Sequence, residues 1–190
     1  MNEDVASRIR PLPEIRYPWH TRVILALQRR RYGRPLEPAL LWGRIPRAFL
    51  MLTLLYRSID RARSPLDPVL RSLVQVRISQ TNGCAFCIDL NSAAALERHG
   101  SVEKLTALPD YASSALFAER ERAAIAYAEA VTDSTRRVDD TLFARLRQSF
   151  SEQEIVELTA LIAFQNMSSK FNSALGVPAQ GFCTTGPAKR

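Results

Sequence analysis

Leu73-Val74-Gln75-Val76-Arg77-Ile78-Ser79-Gln80-Thr81-Asn82-Gly83-Cys84-Ala85-Phe86-Cys87-Ile88-Asp89-Leu90 reads as a helix, a breaker and the opening of a second helix. Leu70, Leu73, Val74, Val76 and Ile78 give residues 68–81 the broad apolar face of a packed helix. Asn82-Gly83 ends it, and Ala93, Ala94, Ala95 and Leu96 carry a second helical pattern to about residue 98, where His99-Gly100 stops it. The C-x-x-C of Cys84 and Cys87 thus falls on the first turn of a helix. There the unpaired N–H groups and the positive end of the helix dipole favour a thiolate over a thiol, and such settings lower a cysteine pKa to roughly 3.5–7.5. One helical turn also brings the two sulfurs within bridging distance. The pair reads as a redox-active dithiol. The competing readings are half a zinc site and two inert buried cysteines. Zinc needs two further ligands at short spacing, whereas Cys183 stands alone and His20 and His99 form no pair. No metal and no cofactor are expected.

Outward from this stretch nearly every pattern is helical. Prolines 11, 13 and 18 keep the start irregular, and residues 20–32 suit a short helix stopped by Gly33 and Pro35. Pro46 opens a helix to about residue 61, since proline fits the first helical position. Beyond the cysteine helix, residues 101–108 form a short helix and residues 119–131 a longer one. Asp139 or Asp140 caps the next, with Leu142, Phe143, Leu146 and Phe150 inward. Ser151 and Glu154 form a capping box for a final helix to about residue 175. The fold class is all-α: an N-terminal helical arm over residues 1–64, a core over 65–178 and a loose tail over 179–190. Cys183, in that tail, is read as a bystander thiol.

At 190 residues and 46% hydrophobic composition, the chain can bury a sizeable single core. No apolar run reaches the ~20 residues of a membrane span, and residues 1–10 hold no apolar leader core. A cytoplasmic location and no membrane association are expected. The net charge of +7 lies in the N-terminal third, where residues 1–65 carry net +8. Because that segment is also rich in Pro, Trp and Leu, it reads as a packing arm with a charged rim, which disfavours nucleic acid as a partner. The apolar faces exceed what one small helical core covers, so a homo-oligomer is expected.

On the cysteine helix, ~100° per residue puts Asn91 on the same side as Cys84 and Cys87. An amide there can hold a water or hydrogen-bond a thiolate, but it cannot shuttle a proton. Asp89 is expected to face solvent or a neighbouring subunit, and Glu97 and His99 to lie too far along the helix to serve the sulfurs. Gln75 is a candidate pocket residue. Gln165 and Asn166 on the last helix point either to an interface or to the cysteines.

Residues 73–90, with a second block Glu119-Arg120-Glu121-Arg122-Ala123-Ala124 and Tyr127-Ala128-Glu129-Ala130-Val131-Thr132, resemble the carboxymuconolactone decarboxylase / alkylhydroperoxidase AhpD-like family over about residues 65–175. The resemblance implies an antiparallel helical hairpin at the heart of the bundle and assembly into trimers or hexamers. It also implies a hydroperoxide substrate attacked by Cys87, a disulfide closed by Cys84, and reduction by a dithiol donor protein or small thiol. The family pattern has a glutamate twelve residues before the first cysteine and a histidine four after the second, and these relay the proton. Here they are Ser72 and Asn91. The expected function is a thiol-dependent peroxidase or disulfide reductase of antioxidant defence. The alternative is a non-enzymatic redox sensor or scaffold.

Overall fold

The computed structural model describes residues 7–183 as nine α-helices with no strand among them. The start read for an absent leader and the end of the tail fall partly outside that range. The helices are α1 (Trp19–Tyr32), α2 (Glu37–Trp42), α3 (Pro46–Ile59), α4 (Pro68–Thr81), α5 (Ala85–Glu97), α6 (Val102–Ala107), α7 (Glu119–Thr132), α8 (Asp140–Ser149) and α9 (Glu152–Ala174). Boundaries follow local chemistry. Asp67 caps α4 by accepting the Leu70 N–H at 2.8 Å, with Pro68 at the first helical position. Asp139 caps α8 through the Leu142 N–H. Ser151 and Glu154 close the expected capping box on α9. Helix α2 is absent from the sequence reading: it has six residues, and its Pro38 looks like a breaker until it is placed in the first turn.

Helix α4 is the hub. Residues Leu70 to Val76, together with Ile78 and Ser79, are buried, and α5, α7 and α9 surround it. Its Leu73, Val74 and Ile78 join Ile125, Leu158 and Ile162 in the main apolar core, each side chain contributing about 1.5–3 kcal/mol by leaving water. Helix α5 runs back along α4. Arg98, just past its end, donates to the Pro68 carbonyl and to Ser72 Oγ at the start of α4, and Asn91 donates to Ser79. This is the antiparallel hairpin that the resemblance implies.

Of two smaller apolar clusters, one packs the N-terminal helices on each other through Tyr17, Leu25, Ala39 and Phe49, and the other joins α2 to the hairpin through Leu41, Cys84, Phe86, Cys87 and Val177. A buried ion cluster fixes α3 more firmly. The Asp60 carboxylate, 2% exposed, pairs with Arg71 on one oxygen, and on the other with Arg98 at 2.6 Å and the Tyr56 hydroxyl at 3.0 Å. Burial pulls the Arg71 pKa down, and the neighbouring Asp60 charge opposes that fall.

Removing one member of a buried ion pair strands its partners. Asp60→Ala is therefore expected to lower stability by about 3–5 kcal/mol, read as a drop in urea midpoint at unchanged slope. A loss below about 1 kcal/mol would mean that water screens the cluster.

Candidate functional site

The site begins at the turn between α4 and α5. Asn82 and Gly83 hydrogen-bond back to Ile78 and Gln80, and Gly83 takes φ +61°, a conformation that side-chain-bearing residues adopt at a cost. The Asn82 amide donates to Asn166 Oδ1 and Ser169 Oγ on α9, so the turn is pinned from below. Cys84 then caps α5, its Sγ accepting the Cys87 N–H at 3.2 Å. The two cysteines form a disulfide with Cα atoms 5.2 Å apart. Cys84 has no exposed surface. Cys87, 3% exposed, borders the main cavity, and its Sγ accepts from Asn172 Nδ2 at 3.3 Å. Asn172 escapes the sequence reading because it lies 85 positions away on α9. Its Oδ1 is buried without a hydrogen-bond partner among the described residues.

The positions read for proton relay separate. Asn91 reaches the cavity wall and donates to Ser79 Oγ at 3.2 Å. Ser79 also accepts from Gln165 at 2.9 Å and donates to the Gln75 carbonyl at 2.6 Å. Gln75 is buried, with its Nε2 unpartnered among the described residues. This cluster of amides and a hydroxyl carries no charge. Ser72 is fully buried behind it, donating to the Pro68 carbonyl and accepting from Arg98 at 3.1 Å. It thereby touches the Asp60 ion cluster, which presents the Tyr56 ring to the cavity. The Tyr56 hydroxyl is pushed far above the usual phenol value, first by burial and then by the Asp60 charge. Nothing in the sequence marks Asp60, a single acid in an arginine-rich stretch. Only the fold carries it to α4.

The cavity measures about 810 Å³ and lies between α1–α3 on one side and α5 and α9 on the other. Trp42 stacks on Phe171 with centroids 4.1 Å apart, Tyr56 lies 5.2 Å from Phe164, and Phe86 meets Phe182 edge-on at 6.4 Å. Glu97, expected to be remote, also lines this cavity and pairs with Arg31 of α1. Asp89 differs from expectation as well. It is buried, and its two oxygens accept the Gln180 N–H at 2.8 Å and the Cys183 N–H at 2.7 Å. The segment read as loose is therefore tied down through Cys183 and sets Phe182 over the cavity. Gln165 faces the cavity and Asn166 holds the turn, so neither is an outward polar residue. No cluster of metal-ligating side chains occurs among the described residues, and no described helix is long and apolar enough to cross a membrane.

The carboxymuconolactone decarboxylase family model matches residues 46–130. The Escherichia coli K12 protein YnjA, described as uncharacterized, is 49% identical over 164 residues, which is 86% of this chain and 90% of that one. Among solved structures, an uncharacterized peroxidase-related protein from Ralstonia eutropha JMP134, described as an alkylhydroperoxidase AhpD core, superposes with a TM-score of 0.84. It is 18% identical, covering 95% of this chain and 96% of that one. The debrominase Bmp8 superposes at 0.79 with 25% identity over 96% and 95%. A cysteine-to-alanine variant of Bmp8 has been crystallised with 2,3,4-tribromopyrrole.

Asp89→Ala removes the acceptor of two tail amides, each charge-assisted bond being worth about 1.5–3 kcal/mol. Amide exchange at Gln180 and Cys183 is expected to become fast while α4 stays protected, as read by hydrogen exchange with mass spectrometry. Unchanged protection at both amides would show that the tail is held by Phe182 packing instead.

Proposed function

The chain belongs to the carboxymuconolactone decarboxylase family, AhpD-like branch, and from that premise we propose that it is a dithiol oxidoreductase reducing an organic hydroperoxide in the cavity beside Cys87. The observation that carries this reading is the asymmetry of the pair. Cys87 borders the cavity, and Cys84 sits fully buried directly behind it.

In the reduced protein, the α5 N-terminus and the Asn172 amide stabilise charge on the sulfurs. The Cys87 thiolate attacks the terminal peroxide oxygen. The O–O bond breaks, and the departing alkoxide takes a proton from solvent to leave as an alcohol. Cys87 is now a sulfenic acid. The Cys84 thiolate attacks its sulfur, hydroxide leaves as water, and the disulfide closes. An external dithiol then reduces it by exchange. The peroxide gains two electrons and the thiols lose two. With uncharged Ser72 and Asn91 in the relay positions, no general acid–base assists, an assistance typically worth ~10²–10⁴-fold. Turnover is therefore slow, and the Asn91–Ser79–Gln165 cluster orients groups without moving protons.

A second reading draws support from the full-length likeness to Bmp8 and from the aromatic cavity. A bromine on an electron-rich ring is also a soft electrophile. The thiolate takes the bromine, the ring carbon takes a proton, and Cys84 closes the disulfide as bromide leaves. Homo-oligomer assembly belongs to the same proposal, supported by exposed Trp19 and Val23 on α1 and Met51 and Leu54 on α3.

The test mixes fully reduced protein with a slight excess of cumene hydroperoxide and counts free thiols over time. Wild type is expected to lose two thiols per chain and regain them with dithiothreitol. Cys84→Ser is expected to accumulate a sulfenic acid that dimedone traps, and Cys87→Ser to keep its thiols. Wild-type thiols that survive for hours in folded protein would sink the hydroperoxide reading. Thiol loss accompanied by a change of assembly, without turnover, would replace it with a redox sensor.

A further inference from the structure

The cavity carries information about its occupant beyond the chemistry at the sulfurs. Hydrogen peroxide, the size of about two water molecules at about 30 Å³ each, would fill under about a tenth of its 810 Å³. Pockets of roughly 300–1,000 Å³ hold drug-sized molecules. The walls are rings in fixed orientations. Tyr56 is held by its hydroxyl to Asp60 and lies against Phe164. Trp42 is backed by Phe171. Phe182 is set in place by the Asp89 clasp on its two sides. Such surfaces favour planar ligands that stack over chains that must be ordered on binding.

The charges at the cavity lean one way. Of its charged lining residues, Arg31 is paired with Glu97, whereas Arg57, on the last turn of α3, has no acidic partner or hydrogen bond among the described residues. Behind Tyr56, one carboxylate, Asp60, is shared by two arginines, Arg71 and Arg98. The apolar chamber therefore sits in a net positive surrounding that draws anions.

Resting on the dithiol reading for its chemistry, we propose that this cavity is the binding site for a planar, ring-bearing organic anion, its ring between Trp42 and the Tyr56–Phe164 pair and its acidic group at Arg57. The substrate class is then an aromatic acid bearing the reducible group, not hydrogen peroxide or a short alkyl hydroperoxide. Specificity lies on α2, α3 and α9, away from the cysteine turn.

Binding is tested on the oxidised full-length protein with unreactive probes: naphthoate, its neutral isostere naphthylmethanol, and decanoate. Titration calorimetry gives affinity. Quenching of Trp42 fluorescence in Trp19→Phe gives location, Trp19 and Trp42 being the two tryptophans of the chain. Naphthoate is expected to bind about tenfold more tightly than decanoate, from two ring contacts. It is expected to bind about threefold more tightly than naphthylmethanol, from one solvent-screened ion pair. Arg57→Gln, on an exposed side chain that folding does not need, should erase the second difference and keep the first. Phe164→Leu, with its thermal midpoint checked, should narrow the first.

Decanoate binding as tightly as naphthoate, absence of Trp42 quenching, or a naphthoate preference over naphthylmethanol that survives Arg57→Gln would each overturn the proposal. Naphthoate binding as described by a protein whose thiols ignore cumene hydroperoxide supports this site and removes the peroxidase chemistry. Reactive thiols with no naphthoate binding remove this site alone.

Discussion

Helix α4 is buried on all sides while carrying Arg71, Ser72, Gln75 and Ser79, and the rest of the molecule is arranged to satisfy that constraint. A polar group taken from water without a partner costs about 1–3 kcal/mol, and a charge costs more. Arg71, Ser72 and Ser79 therefore dictate what packs beside them, while Gln75 Nε2 stays unpartnered among the described residues. Arg71 brings in Asp60, and with it the end of α3. Ser72 receives Arg98, which holds the far end of α5. Ser79 accepts from Asn91 of α5 and Gln165 of α9. The apolar residues of α4 supply the larger share of stability without direction. The polar ones fix which helix lies where.

The same arrangement separates the Asp60 ion cluster from the cysteine pair. The Asp60 ion cluster lies at the start of α4, while the cysteine pair lies at its other end in an apolar cluster, with the Cys87 N–H and the Asn172 amide donating to the sulfurs. The groups that donate to the two sulfurs, the α5 N-terminus and the Asn172 amide, are dipoles that do not titrate. Tyr56 is the element common to both regions, its hydroxyl in the ion cluster and its ring on the cavity wall. Changes at Asp60 therefore reach the cavity through the orientation of one ring, not through a proton path to Cys87.

The hairpin and the cysteine turn were legible in the sequence because local chemistry determines them. Asp67-Pro68, Asn82-Gly83 and the Ser151–Glu154 box act within four residues of where they stand, and the observed ends of α4 and α9 follow. Asn172, Asp60 and the Asp89 clasp were not legible, for one shared reason. Each acts on a group between 11 and 94 positions away, and a lone Asn or Asp on a helix looks the same whether it meets water or a buried partner. Asp89 shows the limit of the helical-wheel argument most plainly. The angle from Asn91 was sound, but the side it faces is covered by residues 180–183 and not by solvent.

The family match covers the hairpin but only part of the cavity wall. Residues 46–130 hold α3 to most of α7, and so the hairpin, the dithiol and the ion cluster. Trp42, Phe164, Gln165, Asn172 and Phe182, which complete the cavity around Cys87, all lie outside it. A dithiol at a helix N-terminus needs only the hairpin to be reactive. The cavity beside it is walled by α1, α2, α3, α9 and the clasped tail as well as by α5. Cys87 can therefore stay fixed while the wall rings change, the hydrogen bond from the wall to its Sγ coming from Asn172 on α9. That contact ties the sulfur to the helix that also carries Phe164 and Gln165. A change in the packing of α9, or of α2 whose Leu41 packs in the cysteine cluster, would then alter cavity shape and sulfur environment together, whereas a change in α1 would alter cavity shape alone.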